Sequence, residues 1–240
     1  SMPQPTSTAD DARPNLSDIE AAAERLSGHV LNTPTIELTG LSDYCGCQLF
    51  AKLENLQRTS SFKERGALNK LMQLTDDQAK AGVIAMSAGN HAQGVAYHAA
   101  RLGIAATIVM PDNTPFTKVA RTKSFGARVI LHGETLTQAT SFARETAETE
   151  GLIFVHPFDD AQVIAGQGTI ALEMLDALEA PLDTLIVPIG GGGLLSGIAT
   201  AWREKQPETK IIGVQSAEFP SMKQVIDGTP VKTGSSSLAE

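Results

Sequence analysis

The sequence predicts an α/β fold built on parallel sheets. Residues 82–155 read as strand, helix, strand, helix, strand, helix, strand with short links, and residues 159–227 continue as helix, strand, helix, strand, helix. The connections are expected to be right-handed, so the loops that follow the strands share one edge.

Taken in order, residues 1–14 hold Pro, Ser, Thr, Asp and Ala and are expected to be a disordered tail. Ser1 before Met2 looks like a scar of tag removal. Ser17 with Glu20 three residues on predicts a capping-box helix over 18–26, ended by Gly28. Thr33-Pro34 bends the chain before 41–44. Residues 49–53 alternate as a strand, 64–74 follow as a helix, and Thr75 caps a short helix to Lys80. Strands are expected at 83–86, 105–110, 128–131 and 153–155, and helices at 91–102, 115–125 and 136–150. The second series places helices at 159–179, 194–205 and 221–227, a buried strand at 184–187 and another strand at 211–214.

Composition excludes several functions. A net charge of −8 argues against nucleic acid. No apolar run approaches the ~20 residues of a membrane span, and no signal-peptide core is visible. Cys45 and Cys47, one residue apart, suit neither a loop-closing disulfide nor a zinc site, so free thiols in a reducing cytoplasm are expected.

Three turns carry chemistry. Lys63 follows Ser60-Ser61-Phe62 at the first turn of a helix, where a cation is unfavourable. Held there beside an aromatic ring, it is expected to ionise less readily, as Schiff-base chemistry requires. Gly190, Gly191, Gly192 and Gly193 lie between a strand and a helix N-terminus, where backbone N–H groups close on anions. The dinucleotide fingerprint fails, because its third glycine position falls on Leu195 or Ser196, and no Walker lysine follows. A compact monophosphate fits better. Ser87, Ala88, Gly89, Asn90 and His91 also join a strand to a helix. Their N–H groups and the Ser87 hydroxyl suit a carboxylate, and the Asn90 amide suits a phenolic oxygen. A lysine, a phosphate site and a carboxylate site together describe pyridoxal phosphate (PLP) chemistry.

Four segments then resemble one family. Residues 54–67 (ENLQRTSSFKERGA), 87–94 (SAGNHAQG), 163–169 (VIAGQGT) and 188–194 (PIGGGGL) look like the serine/threonine dehydratases, which are fold-type-II PLP enzymes. The resemblance runs from about residue 15 onward. It implies two parallel-sheet αβα domains: a large PLP domain at 15–81 and 157–240, and a small inserted domain at 82–156. It implies that Lys63 carries the cofactor and acts as the acid–base group, and that Phe62 packs on the ring. It implies that Asn90 bonds the ring oxygen, that Gly190–Gly193 and Leu194 hold the phosphate, and that residues 87–91 bind the substrate carboxylate.

The implied reaction is α,β-elimination from L-threonine or L-serine to 2-oxobutanoate or pyruvate plus ammonia. A serine racemase, a 3-hydroxyaspartate dehydratase or a PLP-fold module of little activity is the alternative. Ala88 stands where racemase-like members carry a second serine, which favours dehydration. Gln215 and Ser216, with Glu218 displaced, stand where such members place metal-binding acids, so no metal site is expected. A homodimer or homotetramer is implied, and Arg58-Thr59 matches a dipeptide through which some members respond to a nucleotide. In the family roughly a further quarter of the PLP domain follows a stretch like 234–240, carrying the Ser or Cys that bonds the pyridine nitrogen. Weak cofactor binding is expected of 240 residues alone, and full activity of a longer chain.

Overall fold

In the computed structural model, residues 13–231 are described. The expected tail up to residue 12, and the segment 232–240 with its serines, lie outside them. The chain runs α1 (Leu16–Leu26), β1 (Thr35–Glu37), α2 (Thr39–Cys45), β2 (Phe50–Lys52), a 3-10 turn (Glu54–Leu56), α3 (Lys63–Leu71), α4 (Asp76–Ala81) and β3 (Val83–Met86). It continues α5 (Asn90–Arg101), β4 (Ala106–Met110), α6 (Phe116–Ser124), β5 (Arg128–Leu131), α7 (Leu136–Glu150), β6 (Ile153–Phe154) and α8 (Ala161–Ala177). It ends β7 (Thr184–Pro188), α9 (Gly193–Lys205), β8 (Lys210–Val214) and α10 (Ser221–Asp227).

The four strands of the first series form one parallel sheet in the order β5-β4-β3-β6. Val83, Ala85, Ile108 and Met110 point to the side that α5 and α6 cover, together with Ala67 and Leu71 of α3. Ile84 and Val109 point to the other side, onto Ala139, Ala143 and Ala147 of α7. Apolar burial on both faces is what an inner parallel strand requires. A second parallel pair, β7-β8, backs a separate core formed by α1, α8 and α9 around Trp202 and Ile198.

Three local expectations are corrected. The capping box of α1 is formed by Asn15 and Asp18, not Ser17 and Glu20, and each side chain bonds the other's backbone N–H. Residues 35–37 form β1, antiparallel to β2, where a plain bend was expected. The strand at 184–187 is not buried throughout: Leu185 and Val187 face the α8–α9 core, while Ile186 on the reverse side is 63% exposed. One face of β7 packs on helices and the other does not, so its burial alternates.

Helices α3, α8 and α9 approach through glycines, and this explains residues 163–169. A Cβ on Gly166 would lie 2.6 Å from the Arg65 carbonyl oxygen, and one on Gly168 would lie 2.9 Å from that of Gly197. Each helical glycine costs about 1 kcal/mol against alanine; here the absent side chain permits the helix crossings that bring Lys63 and the glycine turn into one region. Arg65 locks the crossing. Its buried guanidinium bonds both Glu54 oxygens at 2.5 and 3.0 Å and both Glu173 oxygens at 2.8 and 2.7 Å. Lys52 joins Glu173 from β2. Burial works against the Arg65 charge, but Glu173 and Glu54 outweigh it and hold the group ionised.

Candidate active site

Lys63 opens α3 directly after Phe62, and its backbone N–H donates to the Ser61 hydroxyl oxygen at 3.2 Å. Its Nζ donates to the Pro157 carbonyl oxygen at 2.7 Å. Burial lowers its pKa from the ordinary 10.5 to about 8. The direction agrees with the expectation from sequence, and its cause is loss of water. The Phe62 ring, 5.5 Å away, attracts a cation, so it opposes the shift and burial outweighs it. Phe62 packs in the same apolar cluster as Leu194 and Leu195, beyond the glycine turn.

The turn Ser87–His91 follows β3, and α5 begins within it. The Ser87 hydroxyl oxygen accepts the Gly89 N–H at 3.1 Å, which leaves its own proton to donate. Ala88 is half-buried, and Asn90 is exposed at the first position of α5. His91 behaves differently from its neighbours. Its ring is turned inward, 3% exposed, with Nε2 donating to the Val155 carbonyl oxygen at 2.9 Å. Burial first, and the Lys63 charge second, push its pKa down to about 3, so the ring is neutral. What His91 offers at the turn is therefore its backbone N–H.

The glycine turn joins β7 to α9. Gly192 caps α9 at a φ of 95°, a backbone region natural to glycine, and no side chain caps the helix. A side chain at Gly191 would overlap the Phe158 ring, and a Cβ on Gly193 would lie 3.0 Å from the Phe158 carbonyl oxygen. A Cβ on Gly190 would meet nothing within 4 Å. Two of these glycines admit Phe158, one turns the chain, and Gly190 keeps open space beside an uncapped helix start. Small size, free N–H groups and helix polarity together fit a phosphate.

Sequence reasoning missed what ties the three turns together. Residues 155–158, just after β6, meet all of them: Val155 accepts from His91, Pro157 accepts from Lys63, and Phe158 sits on the glycine turn. His156 stiffens this segment, its Nδ1 accepting the N–H groups of Phe158 at 3.2 Å and Asp159 at 2.7 Å. Two of these contacts use backbone carbonyls, which leave no mark in a sequence. Concavity alone does not locate the site. A hollow of about 850 Å³ lies over Asp112, His132, Phe142 and Glu145, and no candidate residue lines it.

A half-buried amine of lowered pKa and two helix-start turns thus meet on one connecting segment, an arrangement that suits a carbonyl cofactor bearing an anionic group. The chain belongs to the pyridoxal-phosphate dependent enzyme family, whose model matches residues 26–240. It is 47% identical over 207 residues to the L-threonine ammonia-lyase of Thermotoga maritima, covering 86% of this chain and 51% of that one. The chain thus spans about half the length of that relative. Among solved structures it resembles threonine deaminase isoform 2 of Solanum lycopersicum, with a TM-score of 0.83 and 37% identity over 96% of this chain and 66% of that one. It resembles maize serine racemase with a TM-score of 0.88 and 33% identity over 94% and 69%. The cofactor of the family is PLP, and the residues present fit it: Lys63 suits the aldehyde and the 190–194 turn suits the phosphate. Among the described residues no cluster of His, Cys, Asp and Glu could hold a metal ion, and no helix is long and apolar enough to cross a membrane.

Proposed function

We propose that the chain carries the lysine and cofactor-binding part of an L-threonine dehydratase, which eliminates the β-hydroxyl of the amino acid as water and, with one water taken up again on hydrolysis, leaves 2-oxobutanoate and ammonia. The observation that carries this is the Lys63 amine, lowered to about 8 and bonded to the segment that also supports the glycine turn. When bound, PLP supplies the electron sink for the electrons left on the substrate α-carbon. Lys63 would attach the cofactor, and its Nζ would take the substrate α-proton. A base whose pKa lies near the working pH is suited to that transfer. Gly190 to Gly193 and the start of α9 at Leu194 hold the phosphate, and Phe62 shields the ring from water. Asn90 bonds the ring oxygen. The N–H groups of residues 87–91 and the Ser87 hydroxyl hold the substrate carboxylate.

Ala88 supports dehydration over racemisation, since it offers no hydroxyl to the opposite substrate face. We assign residues 15–81 and 157–240 to the cofactor domain and 82–156 to a smaller domain built on the β5-β4-β3-β6 sheet. A cytoplasmic homodimer or homotetramer is the assembly proposed. Arg58 is exposed, whereas Thr59 is fully buried against Glu64, so of that pair Arg58 is the one that can meet a nucleotide effector.

The test is product analysis of the PLP-loaded protein given L-threonine, L-serine and 3-hydroxyaspartate. 2-Oxobutanoate and ammonia from L-threonine, absent in Lys63→Ala, is expected. D-Serine as the main product from L-serine would favour a racemase, and keto acid formed by Lys63→Ala would remove Lys63 from its role.

A further inference from the structure

A buried carboxylate that the chemistry above does not use holds the loop leading to Lys63. Glu64, next to Lys63 on α3, is 0% exposed. Its Oε2 accepts both the Thr59 N–H, at 2.7 Å, and the Thr59 hydroxyl, at 2.6 Å. Between these residues stands Ser60 with a φ of 64°, the single non-glycine residue at positive φ among those described. A serine adopts that backbone only where its surroundings over-determine it. The Thr59–Glu64 clamp is such a surrounding, because it fixes the chain immediately before the strained residue to the helix immediately after it.

The carboxylate is itself oriented. Its Oε1 faces His98 Nε2 at 3.4 Å, and Arg101 Nη1 lies 3.2 Å from His98 Nδ1. A guanidinium only donates, so Nδ1 accepts and the proton of the neutral ring sits on Nε2, toward Glu64. Burial is the largest influence on His98 and pushes its pKa down, which keeps the ring neutral. Burial also opposes the Glu64 charge, but hydrogen bonds from His98 and Thr59 outweigh it and keep the carboxylate ionised. Arg101 and Arg58 both reach the His29 carbonyl oxygen, at 3.2 and 3.0 Å, closing the arrangement at the surface. Helix α5 lies so close that a Cβ on Gly94 would be 3.1 Å from Glu64 Cα.

We propose that Glu64, oriented by His98, is a positioning residue: it holds the Thr59–Ser60 turn and thereby sets the reach of the Lys63 amine toward the cofactor aldehyde. This rests on the assignment of Lys63 made above, and not on the identity of the amino-acid substrate.

The experiment follows cofactor capture by the PLP-free chain. The visible Schiff-base band is timed after PLP is added, borohydride fixes the product, and mass spectrometry locates it. Glu64→Gln keeps the size of the side chain but turns an NH₂ toward the His98 N–H, so two donors meet. We expect capture to slow at least tenfold, since a misplacement of about 1 Å in a reacting group can cost 10²-fold. Thr59→Ser, which keeps the hydroxyl, stays within twofold of the parent. Thr59→Val slows capture at least threefold and covers the case in which Glu64→Gln does not fold.

Circular dichroism and thermal midpoints accompany each variant. Lost stability with unchanged capture overturns the proposal, as does equal slowing in Thr59→Ser and Glu64→Gln. A parent chain that captures PLP on Lys63 but makes no keto acid from L-threonine defeats the proposed function and leaves these outcomes decisive. A parent chain in which the borohydride-fixed PLP sits on a lysine other than Lys63 overturns both.

Discussion

Phe158 occupies the space that a side chain on Gly191 would need, so the glycine turn and the segment after β6 are packed as one unit. The same segment accepts the Lys63 amine through Pro157. Gly191→Ala must therefore displace Phe158. We expect a loss of about 1–3 kcal/mol in stability from overpacking, together with weaker PLP binding. Gly190→Ala separates the two effects, because its Cβ would meet nothing within 4 Å. Its stability should stay within about 0.5 kcal/mol of the parent, while PLP affinity falls. Denaturant midpoints and PLP titrations check both. Unchanged PLP affinity in Gly190→Ala would contradict the assignment of Gly190 to the phosphate.

Arg65→Met leaves the half-buried Glu54 and Glu173 with only part of their charge answered by Lys52. The expected loss is about 3–5 kcal/mol, as when one partner of a buried pair is removed. Arg65→Lys should recover only part of it, since an ammonium cannot bridge both carboxylates with a planar fork. Urea denaturation measures each. A loss below 1 kcal/mol for Arg65→Met, on the order of an exposed pair, would show that the network does not hold α3 to α8.

His91 makes stability depend on pH. Its pKa falls from the ordinary 6.5 to about 3. Above pH 6.5 the ring is neutral whether folded or unfolded. Below it the unfolded chain takes up a proton that the folded chain refuses until about pH 3, so stability falls as pH falls through that window. At 1.36 kcal/mol per unit, the loss has an upper bound of about 5 kcal/mol. His98 and His156 are shifted in the same direction, with burial the largest cause for each. Urea midpoints at pH 8, 6 and 5 should fall in that order. His91→Gln should flatten the slope, and an unchanged slope would assign it to other groups.

Much of the fold was legible because its signals are local. The apolar runs of β3 and β4, and the glycines that end α6 and α7, sit where sequence reasoning placed them. The Lys63, Ser87–His91 and Gly190–Gly193 turns were also visible, because strand-to-helix turns carry small and polar residues. What stayed hidden depends on partners distant in sequence. β1 is three residues long, and its evidence is its pairing with β2. The alternating burial of β7 depends on which of its faces meets α8 and α9. The carbonyls of Val155 and Pro157 act through backbone atoms common to every residue. Glu64 and His98 lie 34 residues apart and meet only because α3 packs on α5.

The most direct measurement of the central claim is the titration of Lys63 itself. Competitive acetylation of the PLP-free chain across pH, read lysine by lysine, should show Lys63 half-reactive near pH 8, against the ordinary 10.5. Added PLP should then protect Lys63 and leave exposed lysines such as Lys223 unprotected. A Lys63 that titrates with the exposed lysines, or that stays equally reactive when PLP is present, would contradict its assignment as the cofactor lysine.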